Sequence, residues 1–176
     1  VAAGEAVIIG NDAQPLGAAA GVMGSTTVTG GGDFQMTVGP LTTLGNIDLS
    51  GMNASTSTSS VRLDNITPVG VIYTGSTGAD NFTGTGGADV ITAGLGADFI
   101  TPNGGADTVT LTETVQSVDT VLQMNKALDG TDETVDTITG FIPAANGDVL
   151  AFDLDGFNAR PGIADFITGA GNANVN

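Results

Sequence analysis

Four aspartates recur every nine residues between positions 75 and 110, in a pattern suited to binding a hard cation. The four nonapeptides are GSTGADNFT, GTGGADVIT, AGLGADFIT and PNGGADTVT, with no insertion between them. Position four is always glycine and position six always aspartate, namely Gly78, Gly87, Gly96 and Gly105, and Asp80, Asp89, Asp98 and Asp107. Glycine permits the tight turn that brings backbone carbonyls together. Carboxylate and carbonyl oxygens then form an oxygen-only site, which favours Ca²⁺.

The nine-residue period also predicts where these residues lie. We interpret positions one to six as a turn and positions seven to nine as a short strand, whose side chains alternate between faces. Position eight (Phe82, Ile91, Ile100 and Val109) then points into a thin apolar core, while positions seven and nine, and the acids, point outward. Two nonapeptides form one coil of a parallel β-roll. Asp80 and Asp98 therefore stack on one edge, and Asp89 and Asp107 on the other.

Carboxylates stacked at one strand spacing, roughly 4.8 Å, repel each other unless a cation lies between them. The alternative interpretation is four β-turns whose aspartates are each satisfied by their own backbone. It explains one glycine or one aspartate, but not four repeats with both in phase and an apolar residue two places later. We therefore predict bound Ca²⁺, with the four aspartates and the four glycines named above as its ligands.

The same repeats resemble those of the RTX family, G-G-x-G-x-D-x-(apolar)-x, at positions four, six and eight. They differ at positions one and two, which read Gly75-Ser76, Gly84-Thr85, Ala93-Gly94 and Pro102-Asn103. The resemblance implies a hemolysin-type calcium-binding β-roll, export by a type I (ABC transporter) system, and folding outside the cell on meeting calcium. Residues 41–51 resemble solenoid strands of bacterial S-layer proteins, and residues 134–141 and 146–153 resemble the segment that closes RTX rolls.

The composition excludes several classes of function. Lys and Arg number 3 against 19 Asp and Glu, so the formal charge of −16 repels nucleic acid and anionic membranes and attracts cations. The absence of cysteine and histidine rules out Cys/His zinc sites, histidine-based triads and disulfides. A glycosidase needs two acids facing each other across a cleft, which a regular roll does not suggest. We therefore expect no enzyme, no nucleic-acid partner and, without an 18-residue apolar run, no membrane insertion.

We expect an all-β fold, a parallel β-roll or β-solenoid with Ca²⁺ in its Gly-Asp turns. Residues 1–74 form a solenoid-like or β-sandwich segment, 75–110 the RTX repeats, and 111–176 the continuation and C-terminal cap of the roll. Residues 54–60 fit a linker or a polar strand equally well, and residues 115–128 favour strands with an insertion over a short helix. Candidate strands before the repeats are Ala6–Ile9, Thr26–Thr29, Phe34–Val38, Leu41–Leu49, Val61–Ile66 and Val69–Thr74, with turns at 10–12, 30–33 and 51–53.

The open end of a solenoid requires a cap. We predict that residues 134–157 supply it, with Ile138, Phe141, Leu150 and Phe152 buried. Two further acidic motifs have simpler explanations than metal binding. The segment 153–156 resembles the start of an EF-hand but lacks its later ligands. Asp129, Asp132, Glu133 and Asp136 fit a solvated acidic loop, with an auxiliary cation site as the alternative.

Together these features predict a calcium-binding, extracellular structural protein of the bacterial cell surface, which folds on Ca²⁺ after secretion. We expect it to self-assemble into a lattice or filament, as part of an S-layer or a similar assembly. The alternative is the RTX repeat module of a secreted adhesin, toxin or hydrolase.

Overall fold

The structure is a computed structural model that describes residues 6–9, 21–37, 41–52, 58–63, 69–111, 113–124 and 135–153. The described residues form fifteen short β-strands and no helix. None of them therefore forms a helix long and apolar enough to cross a bilayer. Every strand pairing is parallel, as expected when each coil of a solenoid repeats the path of the coil before it.

The strands form two large sheets and one small sheet. Numbered along the chain, they are β1 (Ala6–Ile9), β2 (Gly21–Met23), β3 (Thr26–Gly30), β4 (Asp33–Thr37), β5 (Leu41–Leu44), β6 (Ile47–Met52), β7 (Ser59–Arg62), β8 (Ile72–Thr74), β9 (Asp80–Thr83), β10 (Val90–Thr92), β11 (Phe99–Thr101), β12 (Thr108–Thr110), β13 (Thr120–Met124), β14 (Thr137–Thr139) and β15 (Val149–Asp153). The seven-stranded sheet has the order β1-β4-β7-β9-β11-β13-β15 and the six-stranded sheet the order β14-β12-β10-β8-β6-β3, while β2 pairs with β5. This confirms the predicted all-β, parallel β-solenoid consistent with a β-roll.

Successive nonapeptides alternate between the two large sheets, so the same position recurs in a sheet every 18 residues. Val90 pairs with Thr108 in one sheet, and Asn81 pairs with Phe99 in the other. Strands from the N-terminal part of the chain continue the same sheets, since β7 pairs with β9 and β6 pairs with β8. The repeats are thus built directly onto the preceding coils.

The core lies between the two large sheets and is filled by position eight of each repeat. Phe82, Ile91, Ile100 and Val109 are all fully buried, as the alternation of strand side chains predicts. Tyr73 stacks on Phe82 with ring centroids 4.0 Å apart. Position seven points outward in every repeat, while position nine is mixed and includes a buried Thr101.

Most predicted strands before the repeats are present, with shifted ends. The predicted strand at 41–49 is two strands, β5 and β6, separated by Gly45 and Asn46. A Cβ on Gly45 would lie 2.3 Å from the backbone nitrogen of Ser25, so the chain turns here against the preceding coil. The predicted turn at 51–53 was wrong, because Gly51 and Met52 end β6. Ser59 and Ser60 belong to β7, which supports the polar-strand interpretation over the linker at that end.

The C-terminal part keeps the coil despite irregular spacing. Strand β13 replaces the alternative helix, and β14 and β15 extend the two sheets. Ile138 and Phe141 pack half-buried against the core. Leu150 is 39% exposed, so its predicted burial was wrong; it follows the exposed Val149 on a strand at the end of its sheet. The side chain of Phe152 and residues 154–157 lie outside the described residues.

Candidate metal centre

Aspartates form two columns, one at the edge of each large sheet. The first acidic column is Asp80, Asp98, Asp119 and Asp148, and the second is Asp89, Asp107 and Asp136. Strand register sets these columns, because each aspartate stands at the same position next to paired strands. The four aspartates of the repeats are therefore divided between two edges in the pairs that an 18-residue coil predicts.

Hydrogen bonds connect each aspartate to the next coil. In the first column, the Asp80 N–H donates to Asp98 Oδ1 at 2.8 Å, and the Asp98 N–H donates to Asp119 Oδ1 at 2.9 Å. In the second, the Asp89 N–H donates to Asp107 Oδ1 at 2.8 Å, and the Asp107 N–H to Asp136 Oδ1 at 2.9 Å. One oxygen of each accepting carboxylate is thus engaged by the backbone of the coil before it.

Five of the seven aspartates of the columns are buried, including all four of the repeats, and the expectation that these four point outward was wrong. Asp80, Asp89, Asp98, Asp107 and Asp119 are each at most 2% exposed. Positions six and eight are two residues apart, so near the start of a strand they share the inward face. The buried position makes an unneutralised carboxylate costly.

Burial shows in the pKa values of the first column. Burial, with a smaller contribution from the charges of Asp80 and Asp119, raises the pKa of Asp98 to about 9. Burial also raises the pKa of Asp119 to about 6 and that of Asp80 above its ordinary value. In the second column burial raises the pKa of Asp89 to about 6, opposed by hydrogen bonds from Thr85 and Val71. At these four aspartates burial favours protonation, or a bound cation, over bare negative charge.

The four nonapeptide turns fall into two kinds. In the first two, the residue at position two closes the turn. The Ser76 N–H donates to Asp80 Oδ2 and its hydroxyl to Oδ1, and Thr85 makes the same two bonds to Asp89 at 2.8 Å each. The same hydroxyls contact the predicted ligand glycines, where Gly78 N donates to Ser76 Oγ and Gly87 N donates to Thr85 Oγ1. Asp80 and Asp89 are satisfied by protein atoms in these hydroxyl-closed turns.

The third and fourth turns have a different backbone. Position two is Gly94 or Asn103 and position four is Gly96 or Gly105, and all four have positive φ. A Cβ on Gly96 would lie 2.6 Å from the carbonyl oxygen of Gly78, so this position also requires glycine for space. We call these two the open turns, and in the first of them Asp98 Oδ2 is buried without a hydrogen-bond partner.

One group of three carboxylates includes two residues that lie outside the nonapeptides. Asp98, Glu113 and Asp119 each place one carboxylate oxygen within 4.8 Å of the others. Short motifs in the sequence mark the aspartates that continue the columns. They are Asp-Thr-Val at 119, Asp-Thr-Ile at 136 and Asp-Val-Leu at 148. Glu113 carries no such signal because it lies in an insertion. Asp136 of the predicted acidic loop is in the second column, and residues 129–133 of that loop lie outside the described residues. Residues 154–156 of the EF-hand-like segment also lie outside them.

Calcium fits this donor set. The columns offer only oxygen ligands, and Asp98 and Asp119 each hold a buried Oδ2 without a hydrogen-bond partner. A divalent cation would satisfy such atoms and neutralise the carboxylates around them. The structure thus brings together the predicted aspartates in stacked pairs, while the role of the four glycines as calcium ligands stays a prediction.

Comparison with known proteins agrees with this geometry. The RTX calcium-binding nonapeptide repeat matches residues 74–109 in four copies. No curated protein matches the chain. No solved structure matches it either. The matched segment coincides with strands β9 to β12 and their turns, and the predicted resemblance is confirmed: residues 74–109 are RTX calcium-binding nonapeptide repeats, folded as coils of a parallel β-solenoid.

Proposed function

We propose that this chain is a calcium-binding structural protein of the bacterial cell surface, whose roll folds on Ca²⁺ after export by a type I system. The observation that carries the proposal is the stacking of buried carboxylates in the RTX repeats, where Asp98 Oδ2 has no hydrogen-bond partner. Outside the cell calcium is abundant enough to occupy weak sites of extracellular modules. Inside it, the uncompensated acids would oppose folding, so folding is coupled to export.

Electrostatics supports the coupling between calcium and folding. Asp98 and Asp119 stand one coil apart in the first column, and both are buried. Arg62, which the structure describes on β7, is separated from the strand of Asp98 by β9. A cation from solution is the simplest source of compensating charge. Because calcium would bind the folded roll and not the unfolded chain, its binding free energy adds to the stability of the roll.

The columns support a structural role rather than catalysis. Their aspartates accept hydrogen bonds from backbone N–H groups of neighbouring coils, and so hold the coils in register. A general acid or base instead needs access to a substrate. The chain is therefore proposed not to be an enzyme.

Assembly into an S-layer or similar lattice is the finer part of the proposal. It is supported by apolar side chains on the outside of the roll. Ile72 and Val90 are cross-strand partners on the six-stranded sheet and are 49% and 48% exposed. Adjacent exposed apolar residues are common at contact surfaces between proteins. Electron microscopy of the purified chain in calcium tests this part, since a lattice or filament is expected and dispersed monomers would contradict it.

A repeat module of a secreted adhesin, toxin or hydrolase is the second candidate. It is favoured by the restriction of the family match to residues 74–109. Calcium-dependent adhesion to a glycan would identify an adhesin. A catalytic motif elsewhere in the same gene would identify a toxin or hydrolase.

Circular dichroism tests the calcium-dependent folding itself. The full chain is measured in excess chelator, then with Ca²⁺ and, separately, with Mg²⁺ at equal concentration. We expect β signal to be lost in chelator and restored by Ca²⁺ but not by Mg²⁺, which demands a small octahedral site and holds its waters. A spectrum that is the same in chelator and in calcium would refute the proposal.

A further inference from the structure

The chain departs from the nine-residue step immediately after the repeats. Aspartates of the repeats are nine residues apart, whereas the step from Asp107 to Asp119 is twelve. Strand β13 nonetheless keeps its register, since Phe99 pairs with Thr120. The extra three residues must therefore be accommodated in the turn at the edge of the roll, next to the first acidic column. Glu113 lies in this longer turn.

Glu113 is held in a defined position by the turn of the preceding coil. The Gly96 N–H donates to Glu113 Oε1 at 2.9 Å. The Ser117 N–H and hydroxyl donate to Glu113 Oε2 at 2.6 and 2.7 Å. The Ser117 hydroxyl also contacts the Gly96 carbonyl at 2.7 Å. Glu113 therefore lies across the open turn that ends at Asp98, and not in solvent.

A second observation, independent of the grouping of acids, indicates a missing ligand. Asp98 and Asp119 are buried, 2% and 0% exposed, and the Oδ2 atom of each has no hydrogen-bond partner. Each of these aspartates and Glu113 places one carboxylate oxygen within 4.8 Å of the others. Oxygens that bind one Ca²⁺ at about 2.3–2.6 Å can be no more than roughly 5 Å apart. The three carboxylates are thus close enough to share one ion.

Resting on the proposed calcium-binding function, we propose that Asp98 of the third repeat forms a calcium site of three carboxylates with Glu113 and Asp119, which lie beyond the repeats, and that calcium fills this site first. Three carboxylates give this site more negative charge than a pair of stacked aspartates provides, and charge count raises calcium affinity. In the turns of Asp80 and Asp89, by contrast, serine and threonine already satisfy both carboxylate oxygens.

The site would also explain why the roll can continue beyond the repeats. The insertion lengthens one turn at this edge, while the coils on either side of it stay paired. A calcium ion bound by Asp98 and Asp119 would join the coils on either side, with Glu113 supplied by the inserted residues. The insertion would then complete the column rather than interrupt it.

Calorimetric calcium titration of the full chain tests the proposal with Glu113→Gln, which keeps the size and an amide oxygen but removes the charge. The control is Asp48→Asn, which removes one carboxylate from β6, away from both columns. The tightest binding step is expected to weaken about tenfold or more in Glu113→Gln and to stay unchanged in Asp48→Asn. Thermal melts provide a second measurement, where the rise in Tm on adding calcium should be smaller in Glu113→Gln than in the wild type and unchanged in Asp48→Asn.

Each outcome decides the matter. Weaker first binding with a smaller calcium-induced rise in Tm supports the site. Unchanged titration, or a variant that loses stability in chelator and in calcium alike, overturns it, because Glu113 would then act only through its bonds to Ser117 and Gly96. If the wild-type chain takes up no calcium at all, the proposed function fails, and the two failures are thereby distinguished.

Discussion

Replacing Asp98 by asparagine should change the stability of the roll in opposite directions with and without calcium. Asp98 is buried, and its pKa rises from 3.8 to about 9. At pH 7 the folded, calcium-free chain must therefore keep this group protonated, whereas the unfolded chain ionises it. The roughly three pH units between the unfolded pKa and pH 7 correspond to about 4 kcal/mol of lost stability.

The asparagine removes that cost but introduces another. Its oxygen can still accept from the Asp80 N–H, while its NH₂ group takes the place of the unpartnered Oδ2. A buried unsatisfied amide costs about 1–3 kcal/mol. The calcium-free variant should therefore be more stable than the wild type by about 2 kcal/mol, or about 4–8 °C in Tm for a domain of this size.

In saturating calcium the sign should reverse. A metal that binds only the folded state stabilises it by about 2.7 kcal/mol when its free concentration is a hundredfold above Kd. The variant lacks a charged ligand and should lose a stabilisation of that order. Thermal melts of Asp98→Asn, in chelator and in calcium, give both numbers, with Asp48→Asn as control. A variant that melts below the wild type in chelator would refute the reasoning from buried charge.

Three further predictions concern pH, backbone and coupling. The folded pKa values of Asp89 and Asp98 are raised to about 6 and about 9. The calcium-free roll should therefore be most stable near pH 4 and should lose stability as the pH rises to 9. Thermal melts in chelator across that pH range test this. Gly96→Ala should lower the free energy of unfolding by at least about 1–3 kcal/mol in denaturant titration, because φ is +108° and a backbone carbonyl lies 2.6 Å from the new Cβ. The control Gly24→Ala, whose Cβ would have nothing within 4 Å, should lower it by less than about 1 kcal/mol. Replacing Asp80 and Asp98 together by alanine should lower the stability by less than the sum of the single changes, because the two share a column. Replacing Asp89 and Asp98 together should give a nearly additive loss. Equal behaviour of both pairs in thermal melts with calcium would contradict the two-column arrangement.

The repeats made the central coils predictable from the sequence. A fixed period determines which residues pair across the sheet, and one apolar residue per nonapeptide determines the core. The same alternation of side chains also predicts that Asp80 is buried, because it stands two residues before the buried Phe82. Charged side chains are seldom buried, and the columns depart from this general rule. Their burial in columns depends on backbone donors in neighbouring coils, and those become visible only when the coils are stacked.

The parts that were not predictable are those where the period fails. The segment around Glu113 has no repeat to align it, and its position depends on contacts with Gly96 and Ser117 across the coil. The distinction between closed and open turns was present in the sequence, as Ser76 and Thr85 against Gly94 and Asn103, but its consequence requires the hydrogen bonds of each turn. Strand ends before the repeats shifted because close approaches such as that of Gly45 to Ser25 decide them.

The hydrogen bonds of both acidic columns all run in one direction along the roll. In each, the N–H belongs to the earlier coil and the carboxylate to the later one. Each coil therefore presents donors to the coil that follows it and acceptors to the coil that precedes it. For the same reason a duplicated coil, inserted in tandem, fits both of its new neighbours, so such an array can lengthen through gene duplication without evolving a new interface.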